Sequence, residues 1–452
     1  MLLRFGVFNH RSIRDYQEVK FTVSSLKDDE TGLIYPGFDD APENLEAKIK
    51  VVPVTAIYGA NASGKSTFLE ALDFLVDAIK YSHRRTASSS RTPYNPFMLD
   101  EESKKSPAGY DIDFAIDDTR YHYGFTVDGK RIASEWLYSF PLKAARSVKS
   151  VLFHRDHTES EEYYFGKSLK GENKQISRLT RDNVLFLSSA AQNSHPQLSQ
   201  IYDYFSEKIM SRMHRSENAE YIGSQVFAYF SEDNEKREKA LSFLKAADIG
   251  ISSMDFSKVP YEEDAKKMLD ELDQLLSKYA ETPTIGLSEK ERIQVEFFHH
   301  GNDGKKYSIK LQNESSGTLA LLQILGPVFQ VLNDGGILII DELNTYLHPL
   351  VSKELVKLFS SRKTNPKGAQ LISSTHDTNM LSAGLLRRDQ FWFAEKDNSG
   401  ITHIYSLSDI KVRKEDNFER GYIEGRFGAV PLFSLFGNDY TRAETERYKN
   451  KE

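Results

Sequence analysis

The chain has 452 residues, a prior of about three domains and far more than one core needs. Hydrophobic residues make up 39% and charged residues 28%, and contiguous apolar runs such as 337–340 fall well short of the ~20 residues that span a bilayer, which argues against a membrane-spanning protein. Lys and Arg number 59 against 66 Asp and Glu, a net charge of −7, so any contact with nucleic acid has to come from local basic patches, and zero cysteines exclude disulfides, thiolate metal sites and a cysteine nucleophile.

The first residues run directly into strand-like sequence, with no basic region, apolar block and small-residue cleavage site, so the cytoplasm is the expected compartment. Residues 2–8 and 19–23 read as strands, and 49–58 is apolar enough to be buried on both faces. A glycine turn follows. Then Phe68, Leu69, Leu72, Leu75, Val76 and Ile79 recur at the 3/4 spacing of an amphipathic helix over 66–81. Residues 82–108, with Ser88-Ser89-Ser90 and Asn95-Pro96-Phe97, read as irregular.

From Tyr110 the pattern becomes antiparallel, with strands over 111–116, 121–127 and 132–138 and a hairpin turn at Asp128-Gly129, and the meander is expected alongside the strands of the first segment. Between about 155 and 290 helical stripes dominate, at 198–210, 239–247 and 265–279, the last with Met268, Leu269, Leu272, Leu275 and Leu276 on one face. Strands return at 293–298 and 307–311 around the turn Asn302-Asp303-Gly304, and the remainder alternates strand and helix. The expected organisation is an N-terminal lobe over 1–154, an inserted helical subdomain over 155–292 and a C-terminal lobe over 293–452.

Gly59-Ala60-Asn61-Ala62-Ser63-Gly64-Lys65-Ser66, followed by Thr67, matches G-x-x-x-x-G-K-[ST] between an apolar strand and an amphipathic helix. The glycines let backbone N–H groups curl around phosphate oxygens, the helix start adds partial positive charge, Lys65 reaches the β- and γ-phosphates of ATP, and the Ser66 hydroxyl ligates Mg²⁺. Downstream, Ile337-Leu338-Ile339-Ile340-Asp341-Glu342 is an apolar strand ending in two acids, the pattern in which Asp341 organises Mg²⁺ and Glu342 polarises the attacking water. Asp341 lies 276 residues after Lys65, a gap that exceeds what a compact GTPase or kinase needs.

Further pieces keep the same order: Asn313-Glu314-Ser315-Ser316-Gly317-Thr318 before an apolar helix, Leu343 to Pro349 after the two acids, and Ser373-Ser374-Thr375-His376-Asp377 after another strand. With the phosphate loop they resemble an ABC-type ATPase head of the RecF, SMC and OLD group. The resemblance implies an α/β fold, an ABC-type head with a mixed β-sheet and an antiparallel β-meander plus an inserted helical subdomain. It implies a divergent signature motif at Ser315, Ser316 and Gly317, a D-loop at 343–349 and a switch histidine at His376. Taken residue by residue, Ser315 or Ser316 equally fits a plain helix N-cap, and His376 a satisfied structural histidine. The Q-loop glutamine is not assigned.

Asn9-His10-Arg11-Ser12-Ile13, residues 55–66, Asp389-Gln390-Phe391-Trp392-Phe393 and Gly425-Arg426-Phe427-Gly428-Ala429-Val430-Pro431 are similar to stand-alone bacterial phage-defence and abortive-infection ATPases of PARIS-like, Septu-like and RloA/AbiL type. This implies ATP and Mg²⁺ as cofactors, an ATP-sandwiched homodimer or multiples of it, and control of a separate effector such as a nuclease or toxin, with a phage protein or DNA as trigger and no membrane. Gly425 to Pro431 fits a Gly-hinged structural turn as well as a ligand role. The resemblance also leaves open a RecF-like DNA-repair ATPase and a nucleotide-gated scaffold with slow hydrolysis. Basic clusters at 83–85, 143–149 and 411–414 fit either DNA contacts or solvated faces, and the 76 residues after His376 lack the acidic cluster of a Toprim nuclease. His299 and His300, adjacent on a strand, face opposite ways and make no metal pair.

Overall fold

A computed structural model describes residues 1–37, 49–85, 92–143, 148–213, 216, 218–247, 249–261, 263–279, 292–382 and 384–431. They fall into two compact units, one from 1–213 with 331 onward and one from 214–330.

The first unit begins with β1 (Leu2–Phe8) and β2 (Gln17–Lys20), followed by β3 (Val54–Tyr58) and α1 (Lys65–Tyr81). Next come β4 (Ala108–Ile116), β5 (Thr119–Val127), β6 (Ile132–Pro141), β7 (Ser150–Asp156) and β8 (Tyr163–Phe165). The helices α2 (Asn173–Leu179), α3 (Phe186–Gln192) and α4 (Leu198–Lys208) lead to β9 (Ile209–Arg212). The second unit holds α5 (Ala219–Phe230), α6 (Asn234–Ala246), β10 (Ile251–Val259), α7 (Glu263–Tyr279), β11 (Arg292–His300), β12 (Lys306–Lys310) and the start of α8 (Ser316–Asp334). The chain then completes the first unit with β13 (Ile337–Ile340), α9 (Pro349–Ser360), β14 (Gln370–Ser374), α10 (Asn379–Ser382), β15 (Phe391–Lys396), β16 (Thr402–Ser406) and α11 (Phe418–Ile423).

The strand order β16-β15-β3-β14-β13-β9 forms one six-stranded sheet, parallel except for β16. Its central strands β3, β13 and β14 are buried at every position, the pattern a parallel sheet covered on both faces demands. A second, wholly antiparallel sheet runs β2-β1-β4-β5-β6-β7-β8. Helix α1 packs against both: Phe68 meets Phe5 of β1 edge-to-face at 5.2 Å, and its apolar stripe is buried. The Gln370 side chain on β14 accepts from Leu2 N–H at 2.7 Å and donates to Leu2 C=O at 3.0 Å, so one amide imitates a paired residue between the sheets.

The expected meander forms and pairs through β4 with β1 in the antiparallel sheet, separate from the sheet that holds β3, which has parallel neighbours on both edges. Two expectations are corrected. The inserted unit spans 214–330 instead of 155–292, since 155–213 supplies β9, which adds in parallel to β13, and three helices of the first unit. That unit is not all-helical either: β10, β11 and β12 form an antiparallel sheet, so 293–330 belongs with the insertion and not with the C-terminal lobe. On α7, Met268 and Leu272 are exposed, so that part of the stripe does not face a core, and Leu275 and Leu276 lie outside the described side chains. Among the described residues α8 is long and apolar enough to cross a membrane, although no uninterrupted apolar run of that length occurs in the sequence, and it is mostly buried in the fold.

Candidate nucleotide-binding site

The loop after β3 takes its shape from three residues with positive φ: Gly59 (156°), Ala62 (62°) and Gly64 (109°). Two cannot carry a side chain. A Cβ on Gly59 would run into the Ala394 carbonyl, and one on Gly64 into the side chain of Thr402 on β16. Ala62 holds a left-handed conformation despite its Cβ, a strain of about 1 kcal/mol. Because α1 opens at Lys65, the N–H groups of Lys65, Ser66 and Thr67 lie in a first turn where the helix supplies no acceptor.

Lys65 is 5% exposed, and its Nζ donates to the carbonyls of Gly59 and Ala60, each at 2.9 Å. Burial lowers its pKa, while the charges of Asp341 and Glu342 act the other way. The His376 pKa is lowered by burial and by Lys65, again opposed by Glu342 and Asp341, which favours a neutral ring. These four side chains are therefore close enough to act on one another electrostatically. They meet because β3, β14 and β13 are adjacent and parallel, with Ala56 level with Ser373 and Ser373 with Ile340, so their carboxyl ends open on one edge, where open α/β sheets bind ligands.

Two segments at that edge are joined by side chains. Ser374 Oγ donates to Asp341 Oδ1 at 2.5 Å and accepts from the Glu342 N–H at 2.7 Å. Asn344 Oδ1 accepts from Thr375 Oγ1 at 3.0 Å and from the His376 N–H at 3.2 Å. Glu342 has φ of 51°, and its Oε2 accepts from Thr345 Oγ1 at 2.9 Å. Beneath the phosphate loop, Thr402 Oγ1 donates to the Ser63 carbonyl at 3.0 Å and pairs with Ser12 Oγ at 2.8 Å. Ser12 also lines a cleft of about 500 Å³ with Arg11, Phe97, Met98, Lys396 and Gly400.

The structure thus brings Gly59 to Thr67, Asp341, Glu342 and His376 together in the first unit. Ser315, Ser316 and Gly317 lie in the second. There Ser315 Oγ accepts from the Thr318 N–H at 3.0 Å, the geometry of an N-cap for α8, and Glu314 pairs with His299 at 2.8 Å. Sequence reasoning placed Ser374, Asn344 and Ser12 within longer motifs without giving any of them a role, and missed Thr402. The signal for Ser374 was a hydroxyl at the end of a strand that is otherwise read as fully buried, since a buried polar group needs a partner. In the Gly425 to Pro431 segment, Tyr405 OH donates to the Phe427 carbonyl at 2.7 Å, Tyr422 OH donates to the Ala429 carbonyl at 3.2 Å, and the Arg426 side chain is exposed, which makes the segment a packed turn against the sheet.

Asp111, Asp113 and His122 on the antiparallel sheet have ligand atoms within 4.8 Å of one another. Their needs are met without an ion: Arg4 pairs with both carboxylates, His122 Nδ1 bonds Asp113 at 2.6 Å, and Trp136 Nε1 donates to His122 Nε2 at 3.0 Å.

Residues 54–382 match the family described as AAA domain, putative AbiEii toxin, Type IV TA system. The chain belongs to this family. Its fold is α/β, with a mixed sheet carrying the loop that matches G-x-x-x-x-G-K-[ST] and a separate antiparallel sheet. No curated protein matches it significantly. Among solved structures it is similar to an Smc head bound to the C-terminal winged-helix domain of ScpA, at 14% identity over 90% of this chain and 97% of that one, with a TM-score of 0.39. The SMC head domain of Thermotoga maritima matches at 13% identity over 91% and 99%, TM-score 0.37. An Smc head with coiled coil and joint from Pyrococcus yayanosii matches at 10% identity over 94% and 99%, TM-score 0.35.

Proposed function

We propose that this family member binds ATP with Mg²⁺ at Gly59 to Thr67, hydrolyses it, closes around it with a second copy, and uses that state to control a separate effector protein, a nuclease or toxin, in cytoplasmic antiviral defence. The observation that carries the reading is the meeting of Lys65, Asp341, Glu342 and His376 at the carboxyl ends of β3, β13 and β14. The residues present fit the ligands: Ser63 Oγ is buried without a partner, Lys65 is a buried ammonium resting on its own loop's carbonyls, and Gly59 and Gly64 supply the positive-φ turns of the loop.

Ser66 and Asp341 would hold Mg²⁺, which when bound neutralises charge on the phosphates. Lys65 exchanges two carbonyls for phosphate oxygens, a stronger charge-assisted pairing. Glu342 orients and polarises a water through its carboxylate, with Thr345 fixing one oxygen. His376, neutral by its burial, hydrogen-bonds the terminal phosphate without repelling Lys65. The cleft lined by Arg11, Ser12, Phe97 and Lys396 takes the nucleoside. Ser315, Ser316 and Gly317 of one copy complete the site of the other through the N–H groups at the start of α8. The description of the family by a toxin and a toxin–antitoxin system supports the defence reading.

The test is phosphate release from ATP by the purified chain with and without Mg²⁺, with mass by light scattering on addition of ATP. Release that needs Mg²⁺ and a doubled mass are expected. Failure to bind ATP would overturn the reading.

A further inference from the structure

We infer that Ser374 is a positioning residue that sets both acids of the site, aiming the Asp341 carboxylate at the metal and fixing the peptide that carries Glu342. The inference rests on the ATP and Mg²⁺ reading above. Ser374 ends β14, a strand buried at every position, and is 0% exposed. A hydroxyl there costs stability unless its hydrogen bonds are made inside the protein.

Both of its bonds go to the site. The Glu342 N–H can only donate, so Ser374 Oγ accepts there at 2.7 Å and its single proton is left for Asp341 Oδ1 at 2.5 Å. The roles are thereby fixed, and one carboxylate oxygen of Asp341 is committed to an uncharged donor. The Ser374 carbonyl also accepts from the Leu343 N–H at 3.0 Å. Glu342 sits at φ of 51°, a conformation a residue with a Cβ holds only when its surroundings impose it, and the two bonds from Ser374 flank that strained peptide. The next rungs, Thr375 and the His376 N–H on Asn344, continue the same stitch, so the acids and the histidine are held as one piece.

A ligating carboxylate oriented by a hydrogen bond loses about ten- to hundredfold in metal affinity when that partner is removed. Ser374→Ala is therefore expected to leave metal-free ATP binding at the Lys65 loop intact while raising the Mn²⁺ concentration needed to half-saturate the protein–ADP complex about tenfold, read from the Mn²⁺ electron paramagnetic resonance signal. Ser373→Ala, on the same buried strand, is expected to keep the wild-type Mn²⁺ requirement, and the melting temperatures of both variants separate a metal effect from a folding one. If Ser374→Ala does not fold, Ser374→Cys, nearly the same size with a weaker donor, is expected to show a smaller shift in the same direction. A Mn²⁺ requirement unchanged from wild type in whichever variant folds overturns the inference even if turnover falls. Wild-type protein that binds neither ADP nor Mn²⁺ overturns the nucleotide reading itself, and with it this one.

Discussion

Thr402 stands where a side chain on Gly64 would have to go, and its hydroxyl holds the Ser63 carbonyl next to that glycine. The edge strand β16 therefore shapes the phosphate loop from below, although Thr402 lies 338 residues further along the chain than Gly64. Gly64→Ala would add both a collision and a left-handed conformation, together of order 3 kcal/mol. It should lower the urea midpoint and abolish ATP binding. Thr402→Val keeps the shape and loses the hydrogen bonds, so it should cost about 1 kcal/mol and weaken ATP binding without abolishing it, as titration calorimetry would show.

Lys65→Ala and Glu342→Gln should differ in kind. Removing the lysine removes the charge that meets the phosphates, so ATP is not retained on a filter. Glutamine keeps the size of Glu342 but is a poor base for water, so ATP is retained and not turned over. Equal retention by the two variants would refute the role given to Glu342.

His10 sets an acid limit. It is 3% exposed, its Nδ1 pairs with Tyr110 OH at 2.8 Å and its Nε2 has no partner. Burial, with Arg11 second, pushes its pKa down to about 4 from 6.5. The unfolded chain takes a proton below pH 6.5 that the folded chain refuses until about pH 4, so stability falls as pH drops through that window, by about 2 kcal/mol at pH 5 relative to pH 7.5. Urea midpoints at the two pH values should differ by that amount more in wild type than in His10→Gln.

Ser315 can be tested without losing its cap. Aspartate caps a helix as well as serine does but brings a negative charge. Ser315→Asp should melt like wild type and bind ATP, yet fail to release phosphate, because its charge would oppose the partner copy's terminal phosphate. Ser315→Ala should lose about 1 kcal/mol of stability. Full phosphate release by Ser315→Asp at saturating ATP would reduce Ser315 to a cap.

What could be read from the sequence was what short stretches encode. The phosphate loop, the β13 strand with its two acids and the α1 stripe each carry their pattern within about 20 residues, and all three formed where expected. The partner of each strand was not legible, because pairing is settled by surfaces hundreds of residues apart: β4 to β6 read as a meander, but nothing local said that they would join β1 and not β3. Likewise β9 has the composition of a helix end and became a strand because β13 offered it an open parallel edge. The role of Ser374, and Thr402 altogether, escaped notice for the same reason, since a serine or threonine announces nothing until the group it touches is known.

The strand order also sets a timetable for synthesis. The strand that carries the phosphate loop, β3, is hydrogen-bonded on one side to β14 and on the other to β15, and the earlier of these begins at Gln370. At about 5 to 20 residues per second the ribosome needs roughly 16 to 60 s to reach it after Tyr58. For that interval the nucleotide loop has no sheet to stand on, while the antiparallel sheet and the inserted unit can already close. A nascent chain stalled before residue 370 should therefore resist protease in its antiparallel strands yet be cut near residue 60.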